Sequence, residues 1–280
     1  MSRSVVLLGG PDSGKTNYIG RVWPALDSQK GSLQIAQQPE DITFVLGVTD
    51  HLNSGNFAPR TEHTDARRDF KVIVSKEQGG AETSIVIPDI SGELWLNAVK
   101  HYEISTDWMD ELRHAYGALL FVRVGSDQDV RPLDWVTSKR MMSKVRTPED
   151  PGLPTQVMLC ELIRFLEISL VDRPDGTRPR VAIVVSAWDL VDREKFTKGP
   201  RAWLEHEYPL LGGRLGDVNR LDIQIFGLSV VGGDFKTDKE CRNAVLEGGL
   251  DGHGWVSVQN AGNNWGRSDD LTLPIAWVIA

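Results

Sequence analysis

The chain reads as an α/β protein, a three-layer α/β/α sandwich built on a mostly parallel sheet with one antiparallel edge strand. Three observations predict this. Strand and helix signals alternate along the sequence. The strands are near-continuous apolar runs, as expected where both faces are covered. A tight glycine turn, Gly9–Gly10–Pro11–Asp12–Ser13–Gly14–Lys15–Thr16, joins the first such run to a helix.

The elements follow in order. Val5–Leu8 is the first strand, and Lys15 to about Leu26 opens the first helix. Phe70–Ser75 alternates, gives way to a turn over 77–82, and is followed by the apolar run Thr83–Pro88. These two runs predict an antiparallel pair closed through Gln78–Gly79–Gly80. Asp107–Tyr116 reads as a helix capped by Thr106 or Asp107, and Ala118–Val124 as a buried strand. Residues 126–153 are polar, irregular and proline-containing, which marks an insertion. Thr155 then caps an amphipathic helix carrying Val157, Leu159, Cys160, Leu162, Ile163, Leu166 and Leu170. Arg180–Ser186 is the most strand-like run, Ala202–Leu211 a short helix and Asp222–Leu228 the last clear strand. Residues 232–270, rich in Gly, Asn and Asp, predict a long surface segment. Leu271–Ala280 is a closing helix or a short strand. A single domain spanning 1–280 is expected.

Composition narrows the partners. A net charge of −8 over 280 residues argues against a nucleic acid held by bulk electrostatics. The apolar share of 40% is that of a globular chain with a sizeable core. No apolar run reaches membrane-spanning length, and the first strand leaves no room for a leader peptide. Cys160 and Cys241 lack metal or redox spacing, so a reducing cytoplasm is expected.

The glycine turn fits G-x-x-x-x-G-K-[ST] in full, the phosphate loop of P-loop NTPases. Strand, turn and helix N-terminus together aim several backbone N–H groups at one anion. Lys15 reaches the terminal phosphates and the Thr16 hydroxyl holds Mg²⁺. The alternative is a chance turn with a surface lysine. Asp89–Ile90–Ser91–Gly92 directly follows the Thr83–Pro88 strand. An Asp there can hold a Mg²⁺-bound water, and a glycine three residues on lets an N–H approach a γ-phosphate. Ser186–Ala187–Trp188–Asp189 follows the next central strand and resembles the [NT]-K-x-D base-reading motif. One carboxylate at Asp189 accepts both guanine donors, N1–H and N2–H₂, whereas adenine leaves it unpaired. Ala187 and Ser186 depart from that motif, and a helix cap is the plainer reading of Asp189. Ser229–Val230–Val231 resembles the degenerate S-A-[KL] segment. A threonine that closes over Mg²⁺ belongs between the first helix and the Phe70 strand; Thr61 fits best and Thr64 next.

Taken in order, these segments resemble a Ras-like (TRAFAC-class) GTPase. The GGPDSGKT loop, the PRT segment at 59–61, the VIPDISGE run and the SAWD loop are similar to the bacterial double-GTPase proteins of multi-component conflict systems directed against phage. The resemblance implies GTP or GDP with Mg²⁺ at the carboxyl edge of the sheet. Nucleotide contacts fall to Gly9, Pro11, Asp12, Ser13, Gly14, Lys15, Thr16, Asn17, Ser186, Ala187, Trp188, Asp189, Ser229, Val230 and Val231. Metal ligation falls to Thr16, Thr61 and, through water, Asp89. Catalysis falls to Lys15, Thr61, Gly92 and Glu93. Protein partners (a second GTPase or an effector) and a nucleotide-dependent dimer are expected; a nucleic acid or a membrane is not.

Several residues sharpen this reading. Glu93 stands where Ras-like proteins carry the water-orienting glutamine. Its negative charge beside a charge-rich transition state predicts slow turnover unless a partner assists. Asp12 occupies the position at which potassium-dependent GTPases carry a cation-binding Asn, so K⁺ is a candidate cofactor; a turn-forming Asp is the alternative. Arg60 and Arg67 are candidate charge donors near the switch. Trp188 lies within the base-reading loop and could pack near guanine. Trp255 and Trp265 offer either a partner surface or core. An ATP-using P-loop enzyme and a nucleotide-bound scaffold with little hydrolysis are the rival functions.

Overall fold

The computed structural model describes residues 2–59, 68–77, 79–89, 92–132, 152–260 and 264–280. In chain order the strands are β1 (Ser2–Leu8), β2 (Gln34–Gln37), β3 (Arg68–Ser75), β4 (Thr83–Asp89), β5 (Ala115–Arg123), β6 (Arg180–Ser186), β7 (Asp222–Ser229), β8 (Trp255–Gln259) and β9 (Trp265–Ser268). The helices are α1 (Lys15–Asp27), α2 (Thr43–Asn53), α3 (Gly92–His101), α4 (Thr106–His114), α5 (Thr155–Ser169), α6 (Arg193–Glu207), α7 (Pro209–Asp217), α8 (Lys239–Gly248) and α9 (Leu273–Ile279).

One sheet runs in the order β2-β3-β4-β1-β5-β6-β7-β8-β9. Its centre, β4-β1-β5-β6-β7, is parallel. The reason is visible in β1, where successive side chains point to opposite faces. Val6 and Leu8 enter one core, with Trp95 of α3 and Leu159, Leu162 and Ile163 of α5. Val5 and Leu7 enter the other, with Tyr18 and Ile19 of α1 and Ile275 of α9. A strand apolar on both faces is stable only between two helical layers.

The predicted β3–β4 pair is antiparallel in register, with Phe70 opposite Ile87 and Val72 opposite Ile85. The expectation of a single antiparallel edge needs correction: β2 extends that edge, and β8 and β9 add an antiparallel pair on the other. Both new strands fall within 232–270, read from sequence as a surface segment. They are five and four residues long, too short for alternation to stand out between Gly and Asn. Helix α8 also lies there, and Val231, Phe235, Val245 and Leu250 bury a small cluster with Leu52. Trp255 is buried against Phe196, their rings 5.6 Å apart. Trp265 covers Gly199, where a Cβ would lie 2.0 Å from the indole nitrogen. Both tryptophans therefore serve packing.

Other differences are local. Ser105, rather than Thr106 or Asp107, caps α4 by accepting the Trp108 N–H. Thr155 is the first residue of α5, and its hydroxyl accepts the Val130 N–H at 2.9 Å. Of the expected insertion at 126–153, residues 133–151 lie outside the described residues. Helices α2 and α3 were not anticipated. Helix α2 binds α1 through Thr49, which donates to the Gly20 carbonyl at 2.7 Å.

Gly20 generates a prediction. In an exposed helix interior, Gly→Ala stabilises by about 0.5–1 kcal/mol. Here a Cβ would meet Val48 Cγ1 at 2.3 Å and Val48 Cβ at 2.8 Å. Gly20→Ala is therefore expected to destabilise, by about 1–3 kcal/mol, read as a lower midpoint in urea unfolding.

Candidate functional site

The carboxyl ends of β1, β4, β5, β6 and β7 lie along one sheet edge, because parallel neighbours in register end together. Chain order reverses about β1, with β4 on one side and β5 on the other. A crevice at such a reversal is where open α/β sheets bind ligands.

The glycine turn Gly9–Gly14 leaves β1 at this point. Gly9 has φ +142°, and a Cβ there would press 2.8 Å from the Phe121 carbonyl. Gly14 sits in the left-handed region, φ 89°, just before α1. The turn curls around Lys15, whose buried ammonium donates to Gly9 O at 2.9 Å, Gly10 O at 3.2 Å and Ser13 Oγ at 3.1 Å. Ser186 at the end of β6 donates its hydroxyl to Ser13 O at 2.7 Å. Asn17, one turn into α1, accepts the Ala58 N–H at 2.9 Å through Oδ1. That contact draws the segment before residue 60 toward the loop.

Gly92 closes the turn from the other side. A Cβ there would lie 2.4 Å from Gly10 C, Gly10 O and Pro11 N. No side chain fits, so backbone meets backbone. Glu93 is half-buried in the first turn of α3. Trp95, fully buried, donates its indole N–H to Leu7 O at 3.3 Å and fixes α3 beside β1. Asp89 is the last residue of β4. Thr61, Thr64, Arg60 and Arg67 lie outside the described residues. Thr16 lies in the first turn of α1, and a threonine hydroxyl is one of the hard oxygen donors Mg²⁺ takes. Mg²⁺ needs only one or two protein oxygens when phosphates complete its shell, so the donor set fits. Among the described residues no group of three or more His, Cys, Asp or Glu could hold a metal ion.

The expected base-reading end forms a cavity lined by Gly14, Asn17, Phe57, Arg123, Ser186, Ala187, Asp189, Leu190, Val230, Gly233 and Asp234. Burial pushes the Asp189 carboxyl above the usual carboxylate range. The Ser229 hydroxyl bond pulls it down, Asp234 adds to the rise and Arg123 opposes it. Ser229 is fully buried, and its Oγ accepts the Gly232 N–H at 2.9 Å. Arg21 of α1 pins this region from beneath: it donates to Val230 O at 3.2 Å, Leu250 O at 2.6 Å and His253 O at 2.5 Å. Burial lowers its pKa to about 10, with Asp251 opposing.

Two expectations change. Trp188 does not line the base cavity. It is buried in the core under β7, where a Cβ on Gly227 would touch its ring at 2.5 Å, and it meets Trp203 edge-on at 6.0 Å. The Val231 side chain enters the cluster around Leu52, which leaves open the backbone contact that the resemblance assigns to the Ser229–Val231 segment. The Asp12 carboxylate is engaged: Arg123 Nη1 donates to Oδ1 at 2.9 Å and Ser126 Oγ to Oδ2 at 3.3 Å. A potassium ion there would have to displace an ion pair. Arg123 and Ser126 were not anticipated. The available signal was a lone cation inside the apolar run Ala118–Val124.

Fold and phosphate-loop edge together define a P-loop NTPase of the GTPase type. Residues 6–278 match the family model described as Double-GTPase 1, and the chain belongs to that family. Among solved structures it is similar to the signal recognition particle receptor SRb-GTP/SRX complex from Chaetomium thermophilum (13% identity, TM-score 0.39, covering 88% of this chain and 98% of that one). It is also similar to the G domain of the T. maritima FeoB iron transporter (16% identity, TM-score 0.34, 88% and 98% covered). A search of the curated proteins found no match. No helix among the described residues is long and apolar enough to cross a membrane.

The Asp189 environment predicts a trade between stability and function. Its folded pKa is raised, so its contribution to stability is present below the unfolded pKa and lost as pH rises through the folded value. At neutral pH the ionised carboxylate costs stability in the free protein. Asp189→Asn is expected to raise the melting temperature of the nucleotide-free protein at pH 7.5. The gain over the parent shrinks as pH falls into the acid range, as calorimetry at a series of pH values would read.

Proposed function

We propose that this chain is a guanine-nucleotide switch that binds GTP with Mg²⁺ and hydrolyses it slowly, acting with partner proteins. The observation that carries this is the meeting, at one sheet edge, of the Lys15 turn, the Gly92 backbone contact and the half-buried Asp189. Membership of a GTPase family supports it.

In this reading the loop N–H groups and Lys15 neutralise the phosphates. The Lys15 ammonium exchanges its bonds to Gly9 O and Gly10 O for phosphate oxygens. Thr16 and Thr61 would hold Mg²⁺, with Asp89 acting through water, and the ion would supply positive charge against the phosphates. The Gly92 N–H reads the γ-phosphate, and its loss releases the segments carrying Thr61 and Gly92. Water attacks the γ-phosphorus, the bond to the β-phosphate oxygen breaks, and GDP and phosphate leave. Glu93 orients that water poorly because its carboxylate repels the equatorial oxygens. A partner or a second copy then speeds the step. We place the protein in the cytoplasm as a component of a bacterial multi-component defence system, beside a second GTPase or an effector. The resemblance of its motifs to that family supports the assignment.

A scaffold that holds nucleotide with little hydrolysis is the second reading, and Glu93 favours it. Potassium dependence is not part of the proposal, because Asp12 already pairs with Arg123.

Competition binding tests the base assignment. GTP is expected to displace a fluorescent GDP analogue at least about a hundredfold better than ATP, the scale of discrimination available to a buried hydrogen-bonding site. Asp189→Asn is expected to shift preference to xanthine nucleotides. Equal affinity for GTP and ATP in the parent protein removes the guanine reading. For turnover, Glu93→Gln is expected to raise the single-turnover rate by about tenfold, equivalent to about 1.4 kcal/mol of transition-state repulsion removed. An unchanged rate leaves Glu93 without a role in hydrolysis.

A further inference from the structure

Ala187 contributes only a methyl group to the base cavity, and its backbone sits in the left-handed region at φ 53°. The long cationic side chain on that wall comes from the neighbouring strand end. Arg123 is the last residue of β5 and lies in register with Ser186 at the end of β6. Its guanidinium spans the gap between the two halves of the site. Nη1 donates to Asp12 Oδ1 at 2.9 Å and to Asp12 O at 3.4 Å. Ser126 Oγ holds the other carboxylate oxygen at 3.3 Å, which fixes the direction of the Asp12 carboxylate. Arg123 Nε is buried and meets no acceptor among the described residues.

From this arrangement we infer that Arg123 positions the base: its guanidinium forms the wall along which the purine lies, and clamps that wall to the phosphate loop. The inference rests on the guanine reading above. A guanidinium suits this task because it is planar, weakly hydrated and stacks on aromatic faces. It is anchored at one end, so little rotamer freedom remains to be lost when a ring enters. It also sits near enough to Asp189 to oppose the effect of burial there, which favours the ionised carboxylate that must accept two donors. A partly exposed ion pair made only to neutralise Asp12 would stabilise the fold little, and would not require the arginine to line the cavity.

The test compares Arg123→Ala with the parent protein in three titrations. GDP affinity is expected to fall about tenfold or more, the loss expected for a charge-assisted contact. Affinity for inorganic tripolyphosphate, which has no base, is expected to fall clearly less than that for GDP, because only the pairing with Asp12 is lost. Adding Ala187→Lys to Arg123→Ala is expected to restore much of the GDP affinity, by returning a long cation to the same wall. Thermal melting verifies folding; if Arg123→Ala does not fold, Arg123→Gln carries the same comparison. Unchanged GDP affinity overturns the inference, and so does an equal loss for tripolyphosphate, since the arginine would then serve the phosphate loop alone. Failure of the guanine reading is seen separately, as equal binding of GTP and ATP by the parent protein.

Discussion

Everything at this sheet edge depends on three chain segments approaching closer than side chains permit. The turn after β1 lies against the Phe121 carbonyl at Gly9 and against the Gly92 backbone at Gly10 and Pro11. These contacts set the curvature of the loop, and the curvature decides where its N–H groups point. They also bring the start of α3 to the phosphate end without an intervening side chain. Gly92 and the loop are therefore in direct backbone contact. Trp95, tied to Leu7, holds α3 beside β1.

The base-reading end is built differently, by buried charge rather than by close backbone. Arg21 gathers three carbonyls, one after β7 and two between α8 and β8, and holds the Ser229–Val231 segment against α1. A buried guanidinium is tolerable because its donors are satisfied. Arg123 works across the same gap from above, joining the phosphate loop to the cavity that holds Asp189. The two arginines leave the phosphate and base halves little freedom to drift relative to each other. Asp189 itself is poised against stability, since burial disfavours its charge. Such strain is common where a group is arranged for a ligand rather than for the free fold.

The site was readable from sequence wherever its chemistry is local. The run Gly9–Thr16 carries its own turn, its own cation and its own helix start, and the structure shows the turn closing on Lys15 at the start of α1. The strands β1, β3, β4, β5, β6 and β7 were legible because each is long and apolar. β8 and β9 were not, being short and set among glycines and asparagines. Helix α3 was hidden by the glycine that opens it. Trp188 shows the limit at single residues: the resemblance allowed it to pack near the base, yet its side chain lies in the core against Gly227.

By itself, then, the sequence determined a doubly covered parallel sheet with a phosphate-binding turn at its carboxyl edge, because strand apolarity and turn chemistry are properties of neighbouring residues. Only the tertiary structure decided that Arg123 answers Asp12 and lines the base cavity, that Gly92 rests on Gly10, and that antiparallel strands close both edges. Those outcomes depend on which strand ends become neighbours. Sheet order sets that, through packing summed over the whole chain rather than through any local run of residues.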